Sequence, residues 1–288
     1  MLAINVQFLR KYPMILGLLL CTFLCPGCAD PAQRFGRTWY IDGAGNWGFG
    51  AFGVPNGLKE RGYKGAVTNH RWSLTFNPAL DQTLRFIAKE SGRQLGKEIT
   101  RYLRENPNAD ANVIALSAGT GVGIWAIENV SPPYKVKNYV MTGSSLSSRY
   151  DLRKALGNMK GKIVCYYTSS DPVLDGPVRA LGTIDGTFDD SAGLVGLKGP
   201  GADSPKVVNI GRTSHFARIG WTGGHADCVT EQFVRGEIYK YIVGGNSSRT
   251  ADPTRSSDSA TIHRAIVATQ PLLAETFTES GEPVARPR

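Results

Sequence analysis

Cysteine, histidine and long apolar runs are all scarce in this chain, and each scarcity removes a class of protein. Five cysteines occur in 288 residues, three of them (Cys21, Cys25 and Cys28) within the first 28. Only Cys165 and Cys228 remain for the body, so neither a disulfide scaffold nor a zinc site with paired Cys/His spacing can be built. Those two could bridge in an oxidising compartment. Cys165 falls mid-strand and Cys228 opens a helix, however, which suits two buried free thiols at least as well. The longest apolar run, Met14 to Leu24, is short for a membrane-crossing helix. No basic run and no aromatic platform is present, which argues against nucleic acid as a partner. There are no internal repeats.

The composition is 41% hydrophobic and 20% charged, enough for one sizeable core with no need of a second domain. The formal net charge of +9 is not carried by the ends. The tail from Asn246 is balanced, so the basic charge is spread over the body. A solvated basic surface is the plain reading, with a general affinity for anionic surfaces as the alternative.

The most informative stretch runs from Ala115 through Leu116, Ser117 and Ala118 to Gly119. Asn112-Val113-Ile114 before it is short and apolar, as a buried strand is. The small residues after it can open a helix packed tightly on a sheet. A serine pinched between strand and helix sits on a sharp turn that lifts its hydroxyl above the sheet edge, and small residues two before and two after relieve the crowding. The same turn in any α/β protein could use Ser117 only as a helix cap.

A hydroxyl becomes a nucleophile when a histidine takes its proton and a carboxylate orients that histidine. Downstream, the strand-like Lys162 to Tyr167 leads into Asp171-Pro172, so Asp171 falls at a strand's carboxyl end, where open α/β sheets build their sites. An Asp-Pro turn is its ordinary alternative. Of the four histidines, His263 lies in a polar tail and His70 precedes the serine. His225 follows Gly223-Gly224 and precedes a helical pattern to Ile242 with Asp227 as its expected cap, and it is the expected base. His215 is the rival. Ser144 and Ser145, after the strand Tyr139 to Thr142, are the competing nucleophiles; Asp175 and Asp227 are the competing acids. An oxyanion needs two backbone donors. Ala118 gives one; Gly43 or Ala44, after the strand Trp39 to Ile41, gives the other, and the sequence does not choose between them.

Together these segments resemble the α/β-hydrolase family over about residues 35 to 245, on the Asp42-Gly43-Ala44-Gly45 loop, the Ala115 to Gly119 turn, Asp171-Pro172 after a strand, and Gly224-His225 before the last helix. The resemblance implies a doubly wound, mainly parallel sheet with helices on both faces. It also implies a serine hydrolase that cleaves an ester of a small molecule through an acyl-enzyme, with no cofactor and no metal. The alternation along the chain agrees with a parallel sheet. Asn77-Pro78 caps a helix whose apolar face continues through Leu84, Ala88, Leu95, Ile99 and Leu103 despite Gly92 and Gly96. Gly182 to Pro205 reads as an irregular excursion, too polar to be the large apolar lid of an enzyme working on oil droplets.

Residues 1–28 read as an export signal: Arg10-Lys11, an apolar run, then Cys25-Pro26-Gly27-Cys28. Gly27-Cys28 resembles the end of a bacterial lipoprotein signal, which would leave Cys28 lipidated and the only attachment to a membrane. An ordinary cleaved signal and an uncleaved anchor are the alternatives. Residues 29–245 form the expected hydrolase domain and 246–288 a disordered tail. A serine acyltransferase or peptidase would share the same three residues and differ only in acceptor or leaving group, and two functions of other classes compete. One is a non-catalytic envelope protein on a hydrolase-like scaffold. The other is a dinucleotide-binding oxidoreductase, since Gly43, Gly45 and Gly48 have the fingerprint spacing, although no ribose-binding acid follows at the next strand's end.

Overall fold

The central strands of this chain, Ala111–Leu116, Asn138–Thr142 and Ile163–Tyr167, are buried on both sides because both sides are covered. In a computed structural model, which describes residues 30–243, six strands pair in the order β2-β1-β3-β4-β5-β6, and every pair is parallel. They are β1 (Arg37–Ile41), β2 (Ala66–His70), β3 (Ala111–Leu116), β4 (Asn138–Thr142), β5 (Ile163–Tyr167) and β6 (Val207–Gly211). Side chains alternate between two cores. Val113, Ala115, Met141 and Cys165 join one; Ile114, Leu116, Val140 and Tyr166 join the other. This is the doubly wound parallel sheet with helices on both faces that the sequence leads one to expect.

Helices α1 (Gly53–Glu60), α2 (Pro78–Thr83), α3 (Arg85–Glu105) and α4 (Gly119–Glu128) fill the connections between β1 and β4. The first core lies under α3 and α4. Gly92 and Gly96, costly for helix propensity, are contact positions: a Cβ at either would come within 2.8 Å of a backbone carbonyl oxygen of α4. The second core lies under α1 and the last helical run, where Phe216, Trp221 and Phe233 surround Tyr166 edge-on.

Two expectations about helices are corrected. The helix that Asn77 caps, with its side chain accepting from the amides of Ala79 and Leu80, ends at Thr83. Leu84 leaves helical geometry at ψ 57°, and α3 starts afresh. The apolar periodicity runs across this break because both helices bury the same side. The last helical run begins at Glu231, not at Asp227, and its cap is Thr230, which accepts from Phe233 N. The expected export signal, 1–28, and the expected tail, 246–288, lie outside the described residues.

The sheet order fixes where a site can form. From β1 the chain steps outward to β2 and returns to β3 on the other side of β1. The carboxyl ends of β1 and β3 therefore flank the switch point, where loops diverge and leave a crevice.

Candidate active site

At that crevice β3 ends in Ser117, one of only three non-glycine residues with positive φ among those described (53°). An L-residue held in that region is strained and persists only when its surroundings fix it. Here they do. Ser117 N donates to Thr142 O at 3.0 Å, and Ser117 O accepts from Thr120 N at 3.0 Å, Thr120 Oγ1 at 2.5 Å and Ser145 N at 3.3 Å. A Cβ at Gly119 would collide with the carbonyl oxygens of Asp42 and Ile41, so this position must be glycine for α4 to approach β1. Ala115, two before the serine, is fully buried and its methyl belongs to the core. The small-residue rule is thus strict on the helix side and looser on the strand side.

Gly43 follows β1 and lies directly against Ser117; a Cβ there would be 3.0 Å from Ser117 Cβ. Among the described residues, neither Gly43 N nor Ala44 N has a hydrogen-bond acceptor in the chain, whereas Gly45 N donates to Asp81 Oδ2 at 2.7 Å. Gly43 and Ala44 both line the cavity beside Ser117, which Ala118 follows at the start of α4.

Asp171 sits past β5 and is buried. Its Oδ1 accepts from Val173 N (3.0 Å) and Leu174 N (3.2 Å), which leaves Oδ2 for the His225 ring at 2.8 Å from Nδ1. A carboxylate only accepts, so the proton lies on Nδ1 and Nε2 carries a free lone pair. Ser117 and His225 line one cavity of about 520 Å3, whose other walls are mainly apolar, among them Trp47, Phe49, Val173, Val178 and Leu181. The competitors lie elsewhere. His215 is exposed on a short helix, Ser214–Arg218, and Asp175 is exposed and paired with Arg179. Ser144 is buried against Thr120 Oγ1 at 2.9 Å, and Ser145 is buried too. His70 bonds Ser91 Oγ at 2.9 Å, and burial lowers its pKa.

Asp227, expected as a helix cap, instead ties down the loop before His225. Its Oδ2 accepts from Thr222 N (2.9 Å), Thr222 Oγ1 (2.7 Å) and Gly224 N (3.0 Å). Burial pushes this carboxyl up, but the hydrogen bonds from Thr222 and the loop amides outweigh it and hold the carboxyl below its ordinary range. On the other flank Gly143, at φ 47°, makes room for the imidazole: a Cβ there would be 3.2 Å from Nδ1.

Two carboxylates that the sequence reading did not assign to the site organise the 43–50 loop. Asp42 accepts from Tyr40 OH at 2.8 Å and from the amides of Gly48 and Phe49, and Tyr40 OH accepts from Gly50 N at 3.0 Å. Burial, then the Asp42 charge, push the Tyr40 hydroxyl's pKa well up, so it stays a donor. The second is Asp81, buried on α2, which accepts from Gly45 N and, at 2.7 Å, from Thr75 Oγ1. Of the three fingerprint glycines, Gly45 and Gly48 thus have their amides bonded to carboxylates, which repel phosphate. Cys165 and Cys228 are buried free thiols, both pushed up to about 12 by burial, so neither competes as a nucleophile.

No family model and no curated protein matches the chain. Among solved structures it is similar to a novel cutinase-like protein from Cryptococcus sp., at 13% identity and a TM-score of 0.39, over 75% of this chain and 97% of that one. It is also similar to RedJ, a thioesterase from the prodiginine biosynthetic pathway in Streptomyces coelicolor. There the identity is 12% and the TM-score 0.38, over 76% of this chain and 98% of that one.

Proposed function

We propose that this protein is a serine hydrolase of carboxylic esters. The observation that carries the reading is a positive-φ serine sharing an apolar cavity with a histidine whose other ring nitrogen is held by a buried carboxylate. Ser117 Oγ attacks the ester carbonyl carbon while His225 Nε2 takes the hydroxyl proton. Asp171 fixes the tautomer and stabilises the imidazolium. The oxyanion is met by Ala118 N–H and by the amide of Gly43 or Ala44. His225 returns the proton to the departing alkoxide, which leaves as the alcohol with Ser117 acylated. Water, deprotonated by the same imidazole, then releases the acid. The apolar walls fit an uncharged acyl group. The protein works outside the cytoplasm, exported by residues 1–28 and held at the cell envelope if Cys28 is lipidated; intact-mass analysis of membrane-extracted protein tests the anchor, an unmodified amino terminus removing it. Turnover of p-nitrophenyl butyrate by the wild type and its abolition in Ser117→Ala test the activity. Equal turnover by both proteins would refute it.

A further inference from the structure

Large apolar side chains are exposed in an uneven way. Among the described residues, all of them except Phe35 fall in three segments, 47–52, 74–86 and 181–188. Phe52 is 80% exposed, Phe188 79% and Leu74 76%; Trp47, Phe49, Phe76, Leu80, Phe86 and Leu181 are exposed as well. Scattered singly, such residues need no explanation, but a contiguous group does.

The three segments adjoin, although Phe86 at the end of the second borders a separate pocket beside Lys89, Glu90 and Arg93. Trp47 Nε1 donates to Phe76 O at 3.3 Å, and the Trp47 and Phe49 rings lie 5.9 Å apart. Gln82 Nε2 donates to Gly182 O at 2.9 Å, and a Cβ on Gly182 would be 3.6 Å from the Phe188 ring. The second segment thus bonds to both of the others. Trp47, Phe49 and Leu181 belong at once to this exposed group and to the walls of the cavity that reaches Ser117. The group is the outer continuation of that cavity.

Its charge identifies what it meets. In a chain that is 20% charged, residues 43–58 and 72–80 contain no charged side chain at all. The nearby carboxylates of Asp42 and Asp81 are buried and bonded to loop amides. The other two charged groups of the three segments are half-buried and bonded within the fold, Arg85 donating to Leu181 O and Asp185 accepting from Ser147 N. An anionic bilayer is recognised by clustered lysine and arginine, which these two segments lack. A second copy of the chain seated here would cover the cavity mouth. An uncharged, water-insoluble ester phase matches the apolar surface and also supplies the substrate to the cavity beneath.

We infer that this rim docks the protein on the surface of an uncharged, water-insoluble ester, so that acyl chains pass from the aggregate into the cavity. The inference rests on the esterase reading and adds the physical state of the substrate. The excursion 182–205, polar in sequence, contributes only Phe188; the docking face comes from the loops after β1 and β2 instead.

The test compares full-length Ser117→Ala with the same chain carrying Phe52→Ser, Leu74→Ser and Phe188→Ser in addition, by co-flotation with emulsified trioctanoin droplets. None of these three side chains lines the cavity, and both chains share one N-terminus, so any difference reports the rim. The first chain should float with the droplets, and the triple substitution should weaken this by about tenfold or more. In the Ser117 background the triple variant should hydrolyse soluble p-nitrophenyl acetate within about twofold of wild type, since exposed substitutions away from the site leave the fold intact. Equal flotation of the two chains would overturn the docking role alone. Binding confined to phosphatidylglycerol vesicles, or a dimer that the triple substitution dissolves, would overturn it too. No turnover of p-nitrophenyl acetate by the wild type would overturn the esterase reading and the docking role with it.

Discussion

Replacing Asp171 by asparagine separates a structural carboxylate from one that sets a histidine's proton. The native side chain accepts three bonds, two from the amides of Val173 and Leu174 and one from His225 Nδ1. An asparagine has one acceptor end and one donor end. If its oxygen keeps the two amides, its NH2 faces Nδ1, which must then become the acceptor and shift the ring proton to Nε2. If the oxygen turns to the histidine, the buried amide of Leu174 and the half-buried amide of Val173 lose their acceptor, at about 1–3 kcal/mol for the buried one. The first arrangement wins, so the folded structure survives while the histidine can no longer take the Ser117 proton. For p-nitrophenyl butyrate, kcat/KM should fall by about four orders of magnitude, or roughly 5 kcal/mol of barrier. The thermal midpoint should stay within a few degrees. Activity within about tenfold of wild type, with the fold intact, would refute this role for the Asp171–His225 pair.

Gly119→Ala places a methyl against the carbonyl oxygens of Asp42 and Ile41. It should destabilise by about 1–3 kcal/mol in urea denaturation, although alanine favours a helix by about 1 kcal/mol. Ala115→Gly empties only a methyl's space and should cost about 1 kcal/mol. Asp227→Ala frees the loop before His225, so kcat should fall more than KM rises. The Asp227 carboxyl is lowered by folding, so its contribution to stability is full above the ordinary 3.8 and is lost as pH falls through the lowered value. The wild type's advantage over Asp227→Ala in urea midpoint should therefore shrink as pH drops below that range; an advantage constant with pH would contradict it.

The convergence of Ser117, His225 and Asp171 was legible because each is marked by its own neighbours: small residues flank the serine, proline follows the aspartate, and glycines precede the histidine. The parallel sheet was legible from the alternation of strand and helix along the chain. What escaped depends on partners far apart in the chain. Asp81 serves an amide 36 residues earlier, and no local pattern marks it as anything but a first-turn acid of α2. Asp227 looked like a helix cap because a cap and a loop clamp use the same acceptor chemistry; only the fold shows Thr222 and Gly224 folded back onto it. The break at Leu84 was hidden by periodicity that two helices share. The apolar rim gathers residues from three separate segments, and only the fold shows that they adjoin.

Every role proposed for this site depends on Ser117 being a nucleophile activated by His225. Labelling with a fluorophosphonate, followed by peptide mapping, measures this directly in the wild type and in His225→Ala. The modification should fall on Ser117 and on no other serine, and its rate should drop by at least about three orders of magnitude once the imidazole is gone. Label on Ser144 or Ser145 with Ser117 untouched, or labelling of Ser117 at an unchanged rate in His225→Ala, would contradict it.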